Sequence, residues 1–336
     1  MNSITYLITG ATGFLGSLFI NNLLNENSDN NSNTIYACIR NCQKAQKMYA
    51  ENKANIYLIK SDLADYTCVS RIKSQLPDKI DYIIHCAAAT QSALMMSHPV
   101  ETADSIVLGT KNVLELARLY NVKSMIYLSS MEVYGNIPDT GYHVTEEHLG
   151  DIDILSARSC YPLGKRMAEQ YCYSYYKEYG VPVKIARLAQ TFGTGVLSED
   201  SRIFVQFANA VRRGKDIILH TDGSSMGNYV DSEDAVRAIF MLLKFGQNGE
   251  AYNVVNEANT MRIRDMAQLV ADRIADGRIK VIYDIPKDNI YGYAPITEIR
   301  LSAAKLRELG WQPATDMEGM YRNMIIWMDS EDKIKE

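Results

Sequence analysis

A chain of 336 residues with 47% apolar and 22% charged side chains has the balance of an ordinary soluble globular protein, long enough for one large domain or two. Its net charge of −5 excludes a globally basic surface for nucleic acid or an anionic membrane, while its 35 Lys and Arg leave room for a local anion pocket. No apolar run approaches the ~20 residues of a membrane span, and the chain opens without a basic, apolar, cleavable leader, so the expected compartment is the cytoplasm.

In the first half, short apolar runs alternate with longer helical patterns. Ile4–Thr9 reads as a strand and Phe14–Asn25 as a helix, followed by a solvated Asn/Ser/Asp-rich loop over Glu26–Asn33. Thr34–Ile39, Ile56–Ile59, Tyr82–His85 and Ser124–Leu128 are further strands. Between the last two lies a helix over Pro99–Tyr120, with the proline suited to its first turn. A Tyr-rich helix over Cys160–Tyr179 leads to a strand at Val183–Arg187. This alternation predicts an α/β fold with a doubly wound parallel sheet covered on both faces.

Beyond it the pattern turns irregular, with a loop over Gly193–Asp200, a helix over Ile203–Arg213, a turn at 221–225 and a helix over Asp231–Phe245. A strand at Ala251–Val255 and a helix over Ile263–Ile274 follow. Six cysteines are scattered, and the one tight spacing, Cys38-x-x-x-Cys42, has neither a second pair nor a nearby His. Reduced thiols are therefore expected, and no metal site.

The first strand runs into Thr9-Gly10-Ala11-Thr12-Gly13-Phe14-Leu15-Gly16, which opens a helix. That context suits a dinucleotide: Gly10 allows the tight turn, Gly13 lets backbone N–H groups approach a pyrophosphate at the helix start, and Gly16 permits close helix–strand packing. At the end of the second strand, where an acid would accept from the ribose of NAD, stands Arg40, with Lys44 and Lys47 following. Cations suit a 2′-phosphate, so NADP is favoured over NAD. Asp62-Leu63 is placed to meet the adenine, and Ala87-Ala88-Ala89 gives close packing at the end of the fourth strand.

Tyr161 and Lys165 are four residues apart, hence on one face of their helix. A free tyrosine, with a pKa of about 10, is a poor base at neutral pH. A neighbouring ammonium favours the phenolate, so the pair can move a proton to or from an alcohol while a hydride moves elsewhere.

The glycine turn, Asp62, the alanine run, Ser129-Ser130-Met131-Glu132-Val133-Tyr134-Gly135 and Tyr161-x-x-x-Lys165 coincide in order and spacing. Together they resemble the extended short-chain dehydrogenase/reductase family, in its NAD(P)-dependent sugar epimerase/dehydratase branch, through Leu309-Gly310-Trp311-Gln312-Pro313 near the end of the chain. The resemblance implies a Rossmann domain over 1–188, with 231–256 crossing back to it. A smaller C-terminal α/β substrate lobe over 189–230 and 257–330 would bind a nucleotide sugar. A homodimer joined through the helices at Pro99–Tyr120 and Cys160–Tyr179 is also implied. By the same resemblance Ser130 hydrogen-bonds the sugar C4 oxygen, Tyr161 is the base, and Lys165 holds the cofactor ribose and sustains the phenolate. The common intermediate is a 4-keto sugar.

Epimerisation is the first expectation, since it needs only Ser130, Tyr161 and Lys165. Glu132, which resembles the dehydratases and UDP-glucuronate decarboxylases, keeps dehydration and decarboxylation as alternatives. Met131 replaces the Asp of the dTDP-glucose dehydratase pattern. Gln190 stands in place of a phosphate-contacting Asn, and Gly227 where the family commonly has a phosphate-binding Arg. Arg300, by position, is expected to compensate ahead of Arg202, Arg262 and Arg264. Arg40 and these departures leave room for an NADPH-dependent reductase of a non-nucleotide carbonyl; a cofactor-sensing protein without catalysis is a third reading, against which the complete Ser130, Tyr161 and Lys165 set argues.

Overall fold

Apolar residues on both faces make the first strands buried ones: Tyr6, Leu7, Ile8, Ile35, Ala37, Ile83 and Ile84 are all inside. The computed structural model describes residues 2–26, 31–50, 55–88, 90–138, 141, 143–286 and 298–335. The elements begin β1 (Asn2–Thr9), α1 (Phe14–Asn25), β2 (Asn31–Ile39), α2 (Cys42–Met48), β3 (Ile56–Lys60), α3 (Cys68–Lys73), β4 (Tyr82–His85), α4 (Ser92–Ser97), α5 (Pro99–Leu119) and β5 (Ser124–Ser130). They continue α6 (Cys160–Tyr179), β6 (Val183–Leu188), β7 (Gln190–Phe192), α7 (Ile203–Arg213), β8 (Ile217–Leu219), β9 (Met226–Asp231) and α8 (Ser232–Phe245). The last are β10 (Ala251–Val254), β11 (Asn256–Arg262), α9 (Ile263–Leu269), β12 (Val281–Tyr283), α10 (Ala304–Glu308) and α11 (Met317–Lys335).

The central sheet has seven strands in the order β10-β6-β5-β4-β1-β2-β3. The β1/β2, β1/β4, β2/β3 and β4/β5 pairs run parallel, which is the Rossmann-like arrangement. The chain divides into two units, one of Met1–Gly135, Asp151–Arg187 and Val236–Tyr252, the other of Asn136–Gly150, Leu188–Ala235 and Asn253–Glu336. The first holds a core in which Ile83, Ile106, Val113, Met125, Ala168 and Cys172 pack together. In the second, β11, β9 and β7 form a three-stranded sheet, with β7/β9 parallel and β9/β11 antiparallel. Trp311 is buried there and donates its indole N–H to the Asp234 carbonyl at 3.2 Å.

Local chemistry sets the ends of the long helices. Pro99 opens α5, and α6 closes on Gly180 in the left-handed region (φ 69°). Four differences from the sequence reading appear, the first two with a local physical cause. Strand β2 starts at Asn31 rather than Thr34, because buried Asn33 satisfies its amide by donating to the Leu23 carbonyl at 2.8 Å. Asp231 ends β9 instead of starting a helix, and its side chain caps α8 by accepting from the Glu233 N–H at 2.9 Å. Helix α5 stops at Leu119, with Tyr120 as its cap. The helix from Ile263 changes at Val270 into a π turn that runs to Ile274. Among the described residues no helix is long and apolar enough to cross a membrane.

Candidate functional site

The glycine turn after β1 is forced by space. Gly10 sits at φ 67°, and a Cβ there would lie 2.8 Å from the Ala87 nitrogen. A Cβ at Gly16 would collide with the Gly10 carbonyl oxygen. Gly13 caps α1 with no side chain to satisfy the first N–H groups, and the first turn carries no acid. That leaves a small, exposed helix start able to take an anion. Thr12, Phe14 and Leu15 flank it half-buried. A pin joins β1 to the end of β4: Thr9 Oγ1 lies 2.7 Å from His85 Nδ1 and accepts from the Ala87 N–H at 3.3 Å. His85 Nε2 meets Thr110 Oγ1 at 3.1 Å. Burial, then the Lys165 charge, push the imidazole pKa down to about 3, so it stays neutral.

Around this turn stand the other cofactor candidates. Arg40 is exposed at the end of β2, as are Lys44 and Lys47 on α2. Asp62 is exposed and accepts from the Ala64 N–H at 3.0 Å. Leu63 is buried and its carbonyl accepts from the Asn112 amide at 2.8 Å. Ala87 and Ala88 are half-buried; Ala89 lies outside the described residues. The donor set therefore fits a dinucleotide, with a tight glycine turn, an uncapped helix start and exposed cations near the second strand.

The proton-transfer candidates share the first unit. Ser130 is the last residue of β5, extended at φ −145°, and its Oγ accepts from the Glu132 N–H at 3.2 Å. Tyr161 and Lys165 lie on the first turns of α6 and both are buried. The Lys165 ammonium donates to the Leu128 carbonyl at 2.7 Å. It lies 4.7 Å from the Tyr127 ring centre and 5.8 Å from that of Tyr161. Burial pushes its pKa down to about 8, opposed first by Glu169. Arg166 ties α6 to the turn after β5, donating Nε to the Val133 carbonyl at 2.7 Å.

Two residues absent from the sequence reading complete this unit. Arg158 reaches Glu132, its Nη2 standing 2.8 Å from Oε1 and 2.8 Å from Oε2, while its guanidinium carbon lies 5.8 Å from the Tyr161 ring centre. Its Nη1 is buried with no partner among the described residues. Glu169 is bound by Arg187 through Nη2 at 2.7 Å and by Ser129 Oγ at 2.6 Å. Glu169, four after Lys165 on α6, shares its helix face and could have been found by that spacing, whereas Arg158 lies in the short turn Ala157–Ser159 before α6 and carries no such signal.

The substrate candidates belong to the second unit. Gln190 is half-buried on β7, in register with Tyr229 of β9. Gly227 has no room for a side chain, because the Tyr229 hydroxyl occupies the place of its Cβ. Arg300 is half-buried, and its carbonyl accepts from the Val144 N–H at 2.6 Å. Arg202 pairs with Asp200 at 2.6 Å. Arg262 donates to the Ser224 carbonyl at 2.5 Å and stands 3.6 Å from Glu298. Among the described residues no group of three His, Cys, Asp or Glu is placed to hold a metal ion.

The model of the NAD dependent epimerase/dehydratase family matches residues 6–255. Relatives include UDP-glucuronic acid decarboxylase 6 of Arabidopsis thaliana, 26% identical over 94% of this chain and 86% of that protein. Another is the dTDP-D-glucose 4,6-dehydratase of Homo sapiens, 25% identical over 96% of this chain and 89% of that protein. Among solved structures, UDP-glucose 4-epimerase of Thermotoga maritima superposes with a TM-score of 0.81 at 20% identity, covering 98% of this chain and 99% of that one. At that identity the superposition speaks for the fold.

Proposed function

The chain belongs to the NAD dependent epimerase/dehydratase family, and from that premise we propose that it acts on a nucleotide sugar through a transient ketone at C4. Ser130 would hydrogen-bond the C4 oxygen and Tyr161 would take the hydroxyl proton, with the Lys165 ammonium sustaining the phenolate. The glycine turn, Arg40, Asp62, Leu63, Ala87, Ala88, Tyr161 and Lys165 would hold the dinucleotide, whose nicotinamide supplies the hydride acceptor when bound. Gln190 and Arg300 are the candidates for substrate contact. The exposed cations Arg40, Lys44 and Lys47 favour NADP over NAD.

The Glu132–Arg158 pair carries the choice among outcomes. Epimerisation, first on sequence grounds, gives the pair nothing to do. Dehydration would ask Glu132 for the C5 proton, yet both its oxygens face the guanidinium at 2.8 Å. Decarboxylation of a C6 carboxylate asks for no base. The C5–C6 bond electrons would move towards C5 and onto the C4 oxygen, carbon dioxide would leave, C5 would take a proton, and C4 would then take back the hydride while Tyr161 returns the proton to its oxygen, giving the pentose. Arg158 Nη1, buried and without a partner among the described residues, is a donor of the right charge for that carboxylate. The similarity to a UDP-glucuronic acid decarboxylase supports the same reading. A nucleotide-linked hexuronate is therefore the first substrate class, with C4 epimerisation as the second reading.

Pairing of two copies through α5 and α6 is part of the proposal, supported by Val100, Leu108, Met167 and Tyr173, which stay exposed on those helices. The test is a panel of UDP-, GDP-, CDP- and dTDP-linked hexoses and hexuronates, with released carbon dioxide and product nucleotide both measured. A pentose nucleotide from a hexuronate is expected; no binding and no turnover across the panel would remove the proposal.

A further inference from the structure

Glu169 belongs to no motif, yet it joins three elements behind the candidate catalytic residues. Ser129 on β5 donates to its Oε1 at 2.6 Å. Arg187 on β6 brings Nε to 3.0 and 3.2 Å from its two oxygens and Nη2 to 2.7 Å from Oε2. The remaining edge of Arg187 reaches the Tyr134 hydroxyl at 3.1 Å, in the turn that also carries Glu132. All four side chains are buried. Burial works against the Arg187 charge, but the hydrogen bonds and charge of Glu169 hold it protonated.

A buried ion pair is a weak source of stability, because desolvation costs several kcal/mol per ion and an apolar pair would pack as well. Its position suggests another use. Ser129 precedes Ser130, and Glu169 follows Lys165 by one turn of α6. Lys165 is only 3% exposed. Its ammonium meets the Leu128 carbonyl and the Tyr127 and Tyr161 rings, and the titratable groups whose charge bears on it are Glu169, Cys86, Cys172 and Glu132, with His85 neutral. Of the acids among these, Glu169 acts on it most strongly, ahead of Glu132.

We propose that Glu169, anchored by Arg187 and Ser129, is a positioning residue that keeps the Lys165 ammonium charged and holds the strand of Ser130 against α6. The proposal rests on the reading of Lys165 as the partner of Tyr161, and it adds a residue that works through both catalytic elements without touching substrate.

The test is a titration of ¹³Cε-lysine by NMR in the NAD(P)-loaded protein, with Lys165→Met assigning the resonance. In Glu169→Gln the Lys165 midpoint is expected to fall by about one pH unit, and the alkaline limb of turnover to fall with it. Glu169→Asp is expected to recover most of that shift. A folded, NAD(P)-binding Glu169→Gln with an unmoved midpoint would overturn the proposal. Should the single variant not fold, Glu169→Gln/Arg187→Gln leaves no unpaired buried charge and is read by the same two outcomes. If neither folds and Ser129→Ala titrates and turns over like the parent, the network is structural only and the proposal fails. The lysine titration needs no substrate, so it stands apart from whether any nucleotide sugar is turned over.

Discussion

The two units of the chain hold their candidate residues in different ways. In the first, bonds join β5, its following turn, α6 and β6 around Lys165 and Glu169, and those of Lys165 and Glu169 run between buried groups. In the second, Gly227, where the sequence resemblance implies a cation, has its side-chain space filled by Tyr229. Arg202 and Arg262 are committed to local partners. On the proposed reading, the residues assigned to the C4 chemistry are tied together by buried bonds, whereas those assigned to the nucleotide depart from the pattern that the resemblance implies.

The largest expected effect tests the first unit. Tyr161→Phe should lower turnover about a thousandfold while NAD binding persists; a loss under tenfold would dissolve the contrast between the units. Arg158→Ala comes next, with an expected loss of roughly 30-fold in kcat/KM on hexuronates, the scale of a lost charged hydrogen bond. Neutral hexoses should be affected far less, and equal losses on both would make Arg158 a support for Glu132 rather than a selector.

The second unit is probed by packing and by pH. Gly227→Ala should destabilise the protein by about 1–3 kcal/mol, the cost of overpacking, and Gly227→Ala/Tyr229→Leu should recover most of it in thermal unfolding. The smallest effect concerns Asp231, whose carboxyl pKa is raised to about 6 by burial and then by the Asp234 charge. A raised carboxyl contributes stability that is present below its ordinary value near 3.8 and lost as pH rises through about 6. Asp231→Asn, which keeps the capping acceptor, should therefore raise stability at pH 7.5 by about 1 kcal/mol and leave it unchanged near pH 4. An equal effect at both pH values would place the gain elsewhere.

The parts legible in the sequence were local. The Gly10–Gly16 turn could be read because each glycine answers a clash with backbone close by in the chain or, for Gly10, with the end of β4. The Tyr161–Lys165 spacing could be read because four residues make one helical turn. Arg158 and Glu169 escaped because their partners, Glu132 and Arg187, are 26 and 18 residues away and only the tertiary fold joins them. Helix α11 escaped for want of a sharp apolar stripe, although Met320, Tyr321, Met324 and Met328 are buried on it. The start of β2 was hidden by its polar composition, which a single buried amide bond from Asn33 reconciles with a strand.

The central claim is that Ser130, Tyr161 and Lys165 open the reaction by oxidising a sugar hydroxyl. Its most direct test is rapid mixing of NAD(P)-loaded protein with a nucleotide hexuronate while nicotinamide absorbance is followed. The account expects a transient of reduced nicotinamide that rises and decays within one turnover and is absent in Tyr161→Phe. Product formed by the parent protein with no such transient under any condition, and equally by Tyr161→Phe, would contradict it.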